Sequence, residues 1–282
     1  SVACLTNHPD SIKNIRERTD ISPHVQIGCH LTITSGKPLT AISDIFLDEK
    51  HFRSFNNLKI SSIEKQSDQL KKELKSQIEV LLDNHIQVHH LSCHHGVFSF
   101  TAKLFNVFAQ VSSDMKVPIR SVNVQPTSKD NLYRKVLDLL LLENVSSSKR
   151  AEIKRFGKEI SVYRKVNFPF LISPDSLQSS HYCPPPLIEV ADFRVNSLAR
   201  KKRKNLNEAI EQLLQGNESS SEIMFHLIQD DVYLYEQDDS VDYPGINRKY
   251  FDSRVVEMRS LKMFDLKQFD GKIEFGRWNE LK

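Results

Sequence analysis

Three histidines, His30, His94 and His226, combine residue type and local setting in a way that could do chemistry. His30 lies in VQIGCHLTITSGKPLT (25–40), where Val25, Ile27, Cys29, Leu31 and Ile33 alternate with Gln26, Gly28, His30, Thr32 and Thr34. A period of two predicts a strand over 25–34 with one apolar face and one small or polar face. His30 sits on the polar face, Gly28 leaves room beside it, and Ser35-Gly36-Lys37-Pro38 is a turn signal. His94 ends the strand candidate 86–93, in a stretch that holds four of the eleven histidines between 89 and 95. That density is uncommon for a purely structural strand. His226 lies in EIMFHLI (222–228), a further strand candidate. Two neutral imidazoles and a carboxylate form a common divalent-metal site, which polarises a carbonyl and acidifies bound water. Nitrogen ligands favour zinc, nickel or cobalt over magnesium. A further histidine could protonate a leaving amine, and the set suits hydrolysis of an amide. For each histidine the alternative is a hydrogen-bonded core residue. No GxSxG, P-loop, HExxH or GxGxxG motif competes with this chemistry.

The elements that must position these side chains alternate along the chain. A short strand (2–6) precedes a helix near 11–18. Residues 41–58, with Phe46, Phe52 and Phe55, read as a covering loop. Residues 60–84 form the clearest amphipathic helix, with Ile60, Ile63, Leu70, Leu74, Ile78, Leu81 and Leu82 at helical spacing. A helix (101–112), a strand carrying Arg120 (117–124) and a helix (129–142) follow. Residues 151–163 read as a helix with a strand start, and 167–173 as a strand. The Pro-rich loop 181–186, a basic helix 195–215, an acidic loop 230–242, a helix 254–261 and a strand 272–275 complete the pattern. Strands alternating with helices predict an α/β fold, with a parallel sheet or barrel and functional groups at the C-terminal strand ends. His30, His94 and His226 all sit in or near such exits, so three strands could bring them together.

Composition narrows the partners. The 282 residues are 39% hydrophobic and 27% charged, as expected of a globular protein with a sizeable core. A net charge of +3 is too small to argue for nucleic acid, and the run Arg200-Lys201-Lys202-Arg203-Lys204 reads as a solvated helix face. Cys4, Cys29, Cys93 and Cys183 form no CxxC pair, which argues against a thiol-rich zinc site and fits a reducing, cytoplasmic setting. No apolar run approaches the roughly 20 residues of a membrane span. The sequence opens on Ser1 inside an apolar pattern, as a processed or fragmentary chain would.

Four motifs in matching order resemble the YdjC-like carbohydrate deacetylases, the family that includes chitooligosaccharide deacetylase. GCHLTITSGKPLTA (28–41) resembles its strand-and-turn motif, and ELKSQIEVLLDNHIQVHHLSCHHGVF (73–98) its helix followed by the H-L-D-S-H motif. VPIRS (117–121) resembles its arginine strand and EIMFHLIQDD (222–231) its late histidine strand; SRVVEMRSL and GKIEFGRWNEL match its closing helix and tail. The resemblance implies one domain over 1–282 with an irregular (β/α) barrel of TIM-like type. It implies a hydrolase that removes acetyl groups from N-acetylated sugars or oligosaccharides. His30 and His94 would ligate one divalent metal ion, magnesium or zinc. His226 would act as acid and Arg120 would lie near the active site; members of the family often form homodimers, so a homodimer is a possible assembly. Neither nucleic acid nor membrane is an expected partner.

The resemblance also implies a preceding strand and helix, about 30 residues bearing an Asp-Asp pair. The sequence is expected to begin after that unit, since neither Asp10 nor Asp20 matches the pair. Ser92 stands at the aspartate of the H-L-D-S-H motif, Gly96 at a later histidine, and Leu227 at the proline after the late histidine. These departures support an alternative: a sugar-binding pseudoenzyme of the same fold without catalysis.

Overall fold

A computed structural model of the chain describes residues 1–8, 10–17, 25–54, 57–120, 146–168, 171, 176–179, 200, 203–204, 206–208, 210–211, 214–215, 221–224, 256 and 258–273. Contacts divide the chain into two compact units. The first comprises Ser1–Asn123, Lys135–Pro174 and Gly276–Lys282; the second comprises Val124–Arg134 and Asp175–Phe275.

The first unit runs β1 (Val2–Cys4), α1 (Ser11–Glu17), β2 (Ile27–Leu31), β3 (Leu47–Asp48), β4 (His51–Phe52), α2 (Ile60–Ile63), α3 (Ser67–Asp83), β5 (His90–Cys93), α4 (Ala102–Met115) and α5 (Ser147–Asn167). β1, β2 and β5 form a parallel sheet in that order, and Ile119 adds a parallel bridge to Leu91. Each strand thus lies beside its successor in the parallel set, with helices in the crossovers, as the alternating sequence pattern predicts. The register pairs Gly28 with His90 and His30 with Ser92, so these four share one face; Cys29 with Leu91 and Leu31 with Cys93 share the other. Cys29, Leu31 and Leu91 are fully buried in one cluster with Leu70, Leu74, Ile78 and Leu81 of α3. Burial of each such leucine or isoleucine stabilises the fold by about 2 kcal/mol.

Several elements differ from their sequence patterns for local reasons. β2 ends at Leu31, three residues before the alternation does, because Gln77 of α3 takes over the backbone of Thr32. The helix expected over 60–84 breaks into α2 and α3; the Ser67 hydroxyl caps the carbonyl of Glu64 at 3.4 Å in the interruption. Residues 151–163 lie wholly inside α5, with no strand start, and its long amphipathic run extends from Ser147. Of the strand expected at 167–173, Asn167 ends α5, Phe168 and Leu171 lie outside any strand, and the other positions lie outside the described residues; a strand covers Ser176–Ser179. α5 is tied to the segment after α2 by a buried ion pair, Lys149 Nζ to Glu64 Oε2 at 2.6 Å.

In the second unit, β6 (Ser176–Ser179) and β7 (Ser221–Met224) pair in parallel from Ser176↔Ser221 to Ser179↔Met224. Leu206, Ile210 and Phe269 form a small core with Phe264 and Ile273 against it. Arg200, Arg203 and Lys204 of the basic run are exposed, and Lys204 lies 3.9 Å from Glu208. The helix expected at 129–142, the loop 181–186 and the acidic loop 230–242 lie outside the described residues.

Candidate functional site

The exits of β1, β2 and β5 carry a polar cluster, the place where a parallel α/β sheet collects its functional groups. His30 projects from β2 on the face it shares with Ser92. Its Nδ1 is hydrogen-bonded to Ser92 Oγ at 2.7 Å, and its Nε2 lies 3.2 Å from His94 Nδ1. The His30 and His94 rings meet edge to face, 82° apart with centroids at 5.2 Å. His95 stacks obliquely on His94 at 3.9 Å, and its Nδ1 is hydrogen-bonded to Thr34 Oγ1 at 3.0 Å. His8, just beyond β1, bonds through Nε2 to Ser35 Oγ at 3.0 Å. A hydroxyl therefore engages three of the four rings, and His30 engages the fourth. The chain reaches this arrangement by bending sharply out of β5 through two left-handed residues, His95 (φ 55°) and Gly96 (φ 63°). Glycine adopts that conformation without the strain it imposes on histidine.

α3 holds the loop that supplies Thr34 and Ser35. The Glu73 carboxylate, fully buried, accepts from Leu39 N at 3.0 Å, Thr40 N at 2.9 Å, Thr40 Oγ1 at 2.8 Å and Gln77 Nε2 at 2.9 Å. Gln77 Oε1 accepts from Thr32 N, Gln77 Nε2 donates to Thr32 O, and the Thr6 hydroxyl donates to the Gln77 carbonyl at 2.7 Å. Asn7 Nδ2 donates to the carbonyls of Ser35 at 2.6 Å and Lys37 at 3.2 Å. Gly36 crosses above Asn7 at φ 76°, where a Cβ would come within 2.6 Å of Asn7 Nδ2.

Burial lowers the pKa of His94, His95 and His8 in the cluster. Burial, followed by repulsion from His95, His30 and His8, pushes the His94 imidazole down to about 2. Burial likewise pushes His90 down to about 3, with the Arg120 charge the next contributor. His8 is lowered by burial and then by His51. Neutral imidazole is the form that offers a lone pair to a metal. Two nitrogens on one tetrahedral zinc, each at about 2.05 Å, stand about 3.3 Å apart. The 3.2 Å between His30 Nε2 and His94 Nδ1 matches that span. Among the described residues, no third histidine, cysteine or carboxylate completes a metal-binding group with them.

The residues expected from sequence divide accordingly. His30 and His94, 64 positions apart, meet. Arg120 lies beyond β5 from β2; its N–H donates to Leu91 O at 2.8 Å, and its charge acts on His90 and Cys93. His226 lies outside the described residues. The room left by Gly28 is filled by the His90 ring, which a Cβ there would approach within 2.3 Å. Sequence reasoning passed over His8, although it follows a strand exit as His94 does. It also passed over Glu73 and Gln77, whose signal was their place on the apolar stripe of the helix beside Leu74 and Ile78.

A parallel sheet with paired histidines at its strand exits defines an α/β protein with a polar site at the sheet's C-terminal edge. The chain belongs to the YdjC-like protein family, whose model matches residues 1–269. It is 26% identical over 124 residues to a carbohydrate deacetylase of Vibrio campbellii, covering 44% of this chain and 49% of that protein. It is 23% identical over 138 residues to a carbohydrate deacetylase of Thermoanaerobacter pseudethanolicus, covering 48% and 51%. A carbohydrate deacetylase of Listeria monocytogenes is 32% identical over 78 residues, 27% of this chain and 32% of that protein. The matches thus span about a third to a half of these curated relatives. A crystal structure from Enterococcus faecalis, provisionally described as a cellobiose-phosphate cleavage protein, shares the fold. It has a TM-score of 0.57 at 14% identity, over 98% of this chain and 85% of that one. No described helix is long and apolar enough to cross a membrane.

Proposed function

We propose that the protein is a carbohydrate deacetylase that hydrolyses the acetamide of N-acetylated sugars, on an irregular (β/α) barrel of TIM-like type. The observation that carries this reading is the His30–His94 pair, spaced for one cation, in a chain whose curated relatives are carbohydrate deacetylases. His30 and His94 would hold a divalent ion, magnesium or zinc, with a carboxylate of the implied Asp-Asp type. When bound, such an ion polarises the acetyl carbonyl and lowers the pKa of a water. His226 would give a proton to the departing sugar amine, and Arg120 would border the site. The reading carries with it the expected homodimer and cytoplasmic setting.

The test is metal content together with amine release from N,N′-diacetylchitobiose by the full-length protein. Stoichiometric metal and amine release that disappears in His30→Ala and His94→Ala support the deacetylase. A second reading, a sugar-binding pseudoenzyme, is favoured by Ser92, which gives His30 a neutral partner where the family motif has a carboxylate. Metal-free protein that binds the disaccharide without cleaving it would establish that reading instead.

A further inference from the structure

Ser92 sits at the one contact of the cluster where the direction of a hydrogen bond decides what the others can do. Its side chain is fully buried, and a buried hydroxyl proton needs an acceptor. His30 Nδ1 is within reach at 2.7 Å. On the other side of the same ring, Nε2 lies 3.2 Å from His94 Nδ1. A neutral imidazole has one N–H, on one nitrogen or the other, so the two contacts are coupled: the direction of the first fixes the second.

We propose that Ser92 is a positioning residue that sets the tautomer of His30, its hydroxyl donating to Nδ1 and so placing the His30 proton on Nε2, toward His94 Nδ1. The order Ser92 to His30 to His94 gives the Ser92 and His30 protons an acceptor each, and the His94 proton then sits on its own Nε2. The functional consequence rests on the metal reading above. In this state His30 Nε2 holds a proton where a ligand needs a bare lone pair. Binding a cation requires that proton to move to Nδ1 and Ser92 to become an acceptor. A carboxylate at position 92 could only accept; it would hold the proton on Nδ1 and leave Nε2 bare. Ser92 therefore weakens the affinity of the histidine pair for a divalent cation.

Long-range proton–nitrogen correlation spectra of the metal-free, full-length protein, labelled at the histidine rings, read the tautomer directly. The His30 signals are assigned by their loss in His30→Ala. The expected result is a protonated Nε2 and a bare Nδ1; a protonated Nδ1 in the unsubstituted protein overturns the proposal. Ser92→Ala should release the bias and give mixed tautomers, and an unchanged tautomer there also overturns it. Ser92→Asp should move the proton to Nδ1 and tighten zinc binding by about 10- to 100-fold in calorimetric titration. If Ser92→Asp does not fold, the first two spectra still decide. If the tautomers behave as expected but zinc binds neither the unsubstituted protein nor Ser92→Asp, the metal reading fails while the role of Ser92 stands.

Discussion

Glu73 and His30 both place polar atoms in the interior, on opposite sides of β2, and they are treated differently. Glu73, under the loop at 37–40, has a charge and is surrounded by donors: two backbone N–H groups, a threonine hydroxyl and the Gln77 amide. His30 meets a serine hydroxyl and a second imidazole. The scaffold side uses a charge because every lone pair there is matched, which makes the charge-assisted bonds strong in a low-dielectric setting. The difference separates residues that hold the loop in place from the histidine pair proposed to bind a cation, and substitutions on the two sides should fail in different ways.

The largest effect is expected on the scaffold side. Glu73→Ala strips the acceptor from Leu39 N, Thr40 N and Gln77 Nε2 together, and should cost about 4 kcal/mol in chemical denaturation. Ser92→Ala removes a single hydroxyl partner from the His30 ring and should cost about 1 kcal/mol. Equal losses for the two would erase the contrast. Next is Gly28→Ala, which drives a Cβ to 2.3 Å from the His90 ring and should cost about 3 kcal/mol, read as a lowered urea midpoint.

A further effect concerns pH. His90 is fully buried and neutral when folded, its value pushed from 6.5 down to about 3. Below pH 6.5 the unfolded chain protonates this ring and the folded chain does not, so stability present above pH 6.5 falls as the pH drops toward 3. The slope is about 1.4 kcal/mol per pH unit for one such group. His90→Met should flatten the decline between pH 6 and pH 4 by about that amount. An unchanged slope would show that His90 is protonated in the folded state over that range.

Much of the site was legible because a parallel sheet leaves few places for function. The alternation around His30 and the density of histidines before Gly96 sufficed to mark two strand exits, and the fold brings His30 and His94 together. What the pattern did not reveal is side-chain capture of backbone. Gln77 ends β2 early by bonding both polar groups of Thr32, and Glu73 turns the next loop into a template. Neither effect has a periodicity. Both residues occupy the apolar stripe of α3, where a polar residue needs a partner, but the identity of that partner depends on contacts 33 to 45 residues away. Gly28 shows the same limit: its small size was legible, while the neighbour that needs the space comes from β5.

The pairing of β2 with β5 also has a kinetic side. His30 and Ser92 are 62 residues apart, so their contact closes a long loop that contains all of α2 and α3. Contacts of such separation form late, after local helices are available to pack. A slip of one residue in register would turn His30 to the opposite face of the sheet from Ser92, break the histidine pair and carry Cys29 and Leu31 off the α3 face. The edge-to-face signature of His30 and His94 is therefore a record of correct threading: a refolding chain that shows it has passed the step at which a compact but misregistered sheet would have stalled.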